Sequence, residues 1–360
     1  RSPWVKVGDM KTAKEFGVFL PVANGGWIVS TATPPLDGGW PQNRDAAIAA
    51  EREGFDFVMA MGKWRGFGGI SGHWGTSLEA LTMMAGIAAV TSRVKVWATL
   101  HAILHNPVVA AKMVATLDHI SGGRAGLNIV AGAFRGEFEQ MGAWDESLDH
   151  DRRYDLTQEW TTIVKRLWRE PRVDFSGEFF TIKDCVSQPK PLHRPELICA
   201  GMSARGFDFS VRECDGCFIG GRSEAETRDA SARARTLAAQ LGKPVKTYCM
   251  MTVIAAGTDA EAEARAQKYR QGLDEGAVLG MLQSYGVPLS GQGGNAMTAR
   301  AQGAFMTQAV IGSPATCARK IAAFLQACDI DGLMFIFDDY QAGIRTAGRE
   351  ILPMLRSTFA

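Results

Sequence analysis

The chain has 360 residues, 46% of them apolar and 21% charged, with 40 Gly and 9 Trp. That balance suits a folded protein with a sizeable core and excludes a disordered chain or a small disulfide scaffold. Lys plus Arg number 39 against 38 Asp plus Glu, a net charge of +1 without a basic block, so nothing offers nucleic acid an electrostatic footprint. Seven cysteines scattered from Cys185 to Cys328 form no spaced framework and suggest a reducing, cytoplasmic setting. The longest apolar runs, at 83–90 and 249–256, fall short of the ~20 residues that span a bilayer, so no membrane is expected.

Short runs rich in Val, Ile and Phe alternate with helix-length segments almost from end to end, the rhythm of parallel strands joined by crossover helices. The pattern predicts eight strands, at 16–22, 55–61, 94–100, 125–131, 197–201, 216–219, 247–255 and 332–337. Asn106-Pro107 and Ser313-Pro314 each place a capping side chain before a φ-fixed first helical residue, and Gly122-Gly123 ends the first of these helices. Without a Pro/Ser-rich linker to divide the chain, this reads as one (β/α)8 TIM barrel over 1–360 rather than two doubly wound domains. Insertions follow strands 1, 4 and 7, at 23–41, 132–151 and 277–310. The first two belong to the active-site face, and the third is a lid or an oligomer contact. Residues 172–189 read as an appended hairpin turning at Ser176-Gly177.

Asn128 interrupts the apolar run Gly126-Leu127-Asn128-Ile129-Val130. A buried amide without partners costs about 1–3 kcal/mol, so either a neighbouring strand or a bound ligand must meet it. Thr99 gives a weaker signal of the same kind. His101 and His105 have i, i+4 spacing but straddle a strand end and a loop, which favours a substrate-facing His101 over a metal pair, and no metal is expected. Cys214-Asp215-Gly216-Cys217 has redox spacing but precedes a strand, so buried structural thiols are the better reading. Asp338-Asp339 is either a carboxylate pair or a hydrogen-bonded turn. The segment 291–296 matches the dinucleotide fingerprint without a strand before it, so it is a loop. No phosphate-loop lysine, nucleophile elbow or zinc-protease helix is found, which leaves a cofactor to do the chemistry. Gly201-Met202-Ser203 opens a helix after the fifth strand and could seat a phosphate, with Arg152-Arg153-Tyr154 adding charge and a phenolic donor, or it is simply a capped helix beside a surface arginine.

Several segments together resemble a known family. They include Asn24-Gly25-Gly26-Trp27, Arg65-Gly66-Phe67-Gly68-Gly69, Ile120-Ser121-Gly122-Gly123-Arg124, Glu139-Gln140-Met141-Gly142, Arg152-Arg153-Tyr154-Asp155 and Phe337-Asp338-Asp339. They run in order over nearly the whole chain, and the chain resembles the bacterial luciferase-like flavin monooxygenases, most closely their pyrimidine (uracil) monooxygenase group. The resemblance implies a luciferase-like barrel that uses reduced FMN (FMNH2) and O2, is fed by a separate NAD(P)H-dependent flavin reductase, and assembles as a homodimer or homotetramer. Carried over residue by residue, it makes Gly62, Lys63, Asn128, Glu137, Arg153, Tyr154 and Ser203 the flavin contacts. Thr99 and Asn128 become the catalytic pair beside the flavin, favouring a flavin-N5-peroxide nucleophile that opens an amide-type ring. Trp27, Trp64, Arg65, His101 and Ala133 are the candidate substrate-facing positions. The group's Thr-Gly-Trp after the fourth strand is Ala131-Gly132-Ala133 here, which reshapes the pocket and keeps other heterocycles, or C–S and C–halogen cleavage, open as substrate chemistry. Two same-fold alternatives are a deazaflavin-dependent oxidoreductase and a non-catalytic flavin-binding barrel.

Overall fold

The computed structural model describes residues 13–132, 134–288 and 295–360. Its strands are β1 Glu15–Phe19, β2 Phe57–Met59, β3 Lys95–His101, β4 Ala125–Val130, β5 Val173–Ser176, β6 Thr181–Cys185, β7 Glu196–Cys199, β8 Gly216–Phe218, β9 Lys246–Ala255, β10 Gln308–Gly312 and β11 Gly332–Phe337. Parallel pairing runs β1-β2-β3-β4-β7-β8-β9-β11 and returns to β1, closing an eight-stranded barrel among the described residues. All eight expected strands are in that ring. β5 and β6 form the antiparallel hairpin outside it, with Gly177 N–H donating to Phe180 O across the turn.

One strand was not expected. β10 pairs in parallel with Met251–Ala255, the second half of β9, whose first residues pair with β8. Its start falls inside the third insertion. Five residues behind a polar stretch carry too little apolar periodicity to separate strand from loop.

Side chains along each barrel strand alternate between the interior and the helical layer. Phe19, Phe57, Trp97, Ile198, Phe218, Tyr248, Met334 and Ile336 fill the interior, while Ala98, Leu100, Leu127 and Ile129 pack outward. Phe57 and Trp97 stack at 3.9 Å between ring centres, and Gly126 makes room for the indole, since a Cβ there would lie 2.3 Å from Trp97 Cδ1. This plug closes the lower barrel and leaves polar groups to the C-terminal mouth. The predicted caps hold: Asn106 Oδ1 accepts from Val108 and Val109 N–H, Ser313 caps Pro314–Cys328, and Gly122 ends Pro107–Ser121 at φ 68°. Cys214 and Cys217 are free and buried, with burial pushing both thiols well above the ordinary range, so the structural reading stands. Asp339 caps Tyr340–Thr346 while Asp338 accepts from Tyr269 Oη at 2.7 Å, which makes this pair a turn and a buried hydrogen bond.

The described part of the third insertion roofs the mouth. Helix Glu275–Ser284 buries Ala277, Val278, Met281 and Leu282 against Trp27, Phe67 and Trp74. Asp274 fastens it, accepting from Ser71 N–H (2.8 Å), Ser71 Oγ (2.7 Å), Ala277 N–H (3.1 Å) and Ile70 N–H (3.3 Å). Burial alone would raise this carboxyl, but the hydrogen bonds outweigh it and the net shift is downward. A depressed carboxyl stabilises the fold above its unfolded pKa and loses that contribution as pH falls through the folded value. Asp274→Asn is therefore expected to lower Tm at pH 7 by several degrees, with the gap to the parent closing below about pH 4. A gap that stays constant down to pH 3 in thermal melts would contradict this role.

Candidate active site

The mouth holds two neighbouring groups of the sequence-predicted residues. The first lies over β2, β3 and β4. Thr99 and Asn128 are register partners on β3 and β4, and both point inward because they share the parity of Trp97 and Gly126. Asn128 Nδ2 donates to Thr99 Oγ1 at 3.1 Å, and Thr99 donates its only proton to Ala60 O at 2.7 Å. With that proton committed, Thr99 can only accept, which fixes the amide so that Oδ1 points away from it. Among the described residues Asn128 Oδ1 is buried from solvent and meets no donor. A buried carbonyl acceptor in that condition matches a ligand that brings N–H groups.

Beside this pair, Lys63 and Glu137 are 3% and 2% exposed and meet at 3.3 Å. Glu137 Oε1 also accepts from Trp64 N–H (2.5 Å) and Arg65 N–H (3.3 Å), Arg65 Nη1 donates to Gly136 O, and Gln140 Nε2 donates to Trp64 O. The loops after β2 and β4 are thus clipped together around one carboxylate. Lys63 Nζ lies 3.8 Å from the ring centre of Phe134 and 4.7 Å from that of Phe67. Burial draws the lysine below its ordinary pKa and the Glu137 charge opposes this. His101 is buried on β3 and receives Trp64 Nε1–H at Nδ1 (3.4 Å). Gly62 lies against this group, where a Cβ would stand 2.8 Å from His101 Cε1 and 3.5 Å from Thr99 Cγ2.

The second group lines a cavity of about 780 Å3 over β7, β8 and β9, within the usual ~300–1,000 Å3 of ligand sites. Arg153, Tyr154, Gly201 and Ser203 form one wall, and among the described residues no carboxylate lines it. Ser203 caps Ala204–Glu213 through Gly206 N–H, and the remaining first-turn amides have no intrahelical acceptor. Tyr154 Oη sits against this turn, 2.8 Å from where a Cβ on Gly201 would stand. Burial raises the Tyr154 pKa, so the phenol stays a donor at neutral pH. Arg153 donates to Gly132 O and Leu148 O and lies over the Trp144 ring. Amides, a hydroxyl, a phenol and a guanidinium around one glycine turn suit a phosphate. Arg152 turns away and pairs with Glu178 on the hairpin side.

Other candidates fall elsewhere. Trp27 packs on Phe19 (4.7 Å) and Trp74 (5.0 Å) beneath the roof, and His105 Nδ1 meets His101 O. Ala133 lies outside the described residues. Reasoning from sequence missed Arg300, Tyr285 and Met297, which the third insertion brings to the cavity wall. Arg300 donates to Gly221 O (2.6 Å). Nothing in a polar insertion marks which of its residues fold back over the mouth.

The chain matches the luciferase-like monooxygenase family over residues 14–330. It is 37% identical over 353 residues to pyrimidine monooxygenase RutA of Escherichia coli O6:K15:H31 (strain 536 / UPEC), covering 95% of this chain and 96% of that protein. Among solved structures it resembles the riboflavin lyase RcaE with modified FMN and riboflavin (TM-score 0.85, 20% identity, 96% and 92% of the two chains). It also resembles the long-chain alkane monooxygenase LadA (TM-score 0.82, 18% identity, 97% and 92%). At those identities the structures speak for the fold, and the sequence matches speak for the family. The chain belongs to the luciferase-like monooxygenase family and is a flavin-dependent monooxygenase.

Proposed function

We propose that the chain uses reduced FMN and O2 to oxygenate a small heterocycle of the amide or imide type, with pyrimidine ring opening as the leading case. A separate NAD(P)H-dependent flavin reductase supplies the FMNH2. The observation that carries this is the carboxylate-poor cavity that sets Arg153, Tyr154 and Ser203 at a helix start, with Asn128 Oδ1, a buried acceptor that no described residue meets, at the same barrel mouth, where an isoalloxazine offers N–H donors. The 37% identity to a pyrimidine monooxygenase supports the substrate class. In this reading the enzyme works as a cytoplasmic homodimer or homotetramer, with the chain serving one site and the described part of the third insertion, 277–288 and 295–310, covering it.

Arg153, Tyr154 and Ser203 would hold the flavin phosphate, and Gly62, Lys63, Asn128 and Glu137 would border the ring. Reduced FMN, when bound, supplies the electrons that activate O2. The protein's part is positional. Thr99 keeps the Asn128 amide aimed, the Lys63–Glu137 clip fixes the loops after β2 and β4, and Phe67, Phe134 and Tyr285 keep water from the reacting groups. The test is turnover of uracil and related cyclic imides with FMNH2 supplied by a reductase. Product formed only when both FMNH2 and O2 are present is the expected result, and oxidation that is indifferent to O2 would overturn the reading in favour of hydride transfer. For the phosphate seat, Arg153→Met is expected to weaken FMN about 10- to 100-fold while leaving riboflavin binding unchanged. Equal losses for both flavins in fluorescence titrations would remove Arg153 from that role.

A further inference from the structure

We propose that His101 is a specificity-determining hydrogen-bond donor that presents Nε2–H to a carbonyl oxygen of the substrate, with Trp64 and Gly62 as the residues that position it; this rests on the proposed use of the mouth as a substrate site. Trp97, Thr99 and His101 alternate with Ala98 and Leu100, which pack outward, so all three point into the barrel. A strand rises about 3.3 Å per residue, which puts His101 one layer above the Thr99–Asn128 pair. An indole N–H is a donor only. His101 Nδ1, which receives Trp64 Nε1–H, is therefore the unprotonated nitrogen, and in a neutral ring the proton resides on Nε2.

The surroundings keep the ring neutral. Burial, His105 and Lys63 all disfavour its charge and draw its pKa down to about 3. The Glu137 carboxylate is taken up by Lys63 and by Trp64 and Arg65 N–H. Among the described residues no acceptor meets Nε2, and the atom is not one of the sealed orphans of the interior. Phe138 braces the ring edge-on at 5.2 Å. Gly62 is part of the device, because any side chain there would begin 2.8 Å from His101 Cε1 and push the imidazole aside. A donor-only group at the mouth selects a ligand that offers an acceptor there, which a ring carbonyl does and a ring N–H does not. Such sites discriminate strongly because a mismatched ligand leaves the buried donor unpaired.

The test uses the holoenzyme with oxidised FMN, labelled with 15N-histidine, and three ligands: uracil and the two analogues lacking one or the other ring oxygen. Six histidines are present, and His101→Phe assigns the relevant signals. The expected result is an Nε2–H tautomer at pH 7 whose resonance moves on saturation with uracil. Uracil binding falls about tenfold in His101→Phe, while one analogue binds parent and variant equally. His101→Gln, which retains a donor, recovers part of the loss, and Trp64→Phe yields a tautomer mixture with an intermediate loss. An Nδ1–H or charged ring in the parent, or an equal loss for uracil and both analogues, would overturn the assignment. Binding of uracil with this discrimination but no product with FMNH2 and O2 would defeat the proposed function and leave the His101 assignment standing.

Discussion

Asn128→Ala is expected to lose about 100- to 1,000-fold in turnover while the folded state becomes no less stable. The two halves of this expectation come from one hydrogen-bond ledger. Thr99 already gives its proton to Ala60 O, so removing the amide deprives no buried donor of its acceptor. What disappears is one hydrogen bond to Thr99 Oγ1 and an acceptor that the described residues leave unmet. Deleting such a group recovers a desolvation cost on the order of 1 kcal/mol, whereas a preoriented polar group at a reacting centre contributes about 10²- to 10³-fold to rate. A Tm that does not fall while product collapses is the pattern of a residue kept for chemistry. Thr99→Val leaves Asn128 Nδ2 without its acceptor and frees the amide to turn, so a smaller loss, about tenfold, is expected. Product formation and thermal melts measure both; parental turnover in Asn128→Ala would remove the pair from the active centre.

Glu137→Ala carries the largest expected cost to the fold. Among the described residues its carboxylate is the single hydrogen-bond acceptor for Lys63 Nζ, Trp64 N–H and Arg65 N–H, so its removal leaves a buried cation without its counter-charge and two amides without an acceptor. Breaking one side of a buried pair costs about 3–5 kcal/mol. Lys63 is already drawn down by burial, and without the opposing Glu137 charge it is expected to fall further. Glu137→Gln keeps an oxygen for the amides and is expected to cost less than half as much. Denaturant melts and flavin titration read both variants. A Glu137→Ala protein with parental stability and FMN affinity would show that the clip between the loops after β2 and β4 is dispensable.

The barrel was legible because its parallel strands are covered on both faces and so appear as apolar runs, and because helix starts such as Asn106 and Ser313 carry their own capping chemistry. Asn128 stood out for the same reason, as a polar residue inside such a run. β10 did not, since Gln308–Gly312 is short and follows a polar insertion. The pairing of Trp64 with His101, 37 positions apart, and of Lys63 with Glu137, 74 apart, leaves no local signature. Such contacts are set by which strand ends the closed barrel brings side by side. Arg300 and Tyr285 escaped notice for the same reason: the fold of the third insertion decides that they reach the cavity.

The most direct test of oxygenation by this site is to mix enzyme carrying reduced FMN with 18O2 and uracil, or another cyclic imide that the enzyme turns over, and to weigh the product. One 18O atom per product molecule, in step with O2 consumed, is the predicted result, with about 100- to 1,000-fold less labelled product from Asn128→Ala. Product that forms without O2, or that takes its new oxygen from water, would contradict it.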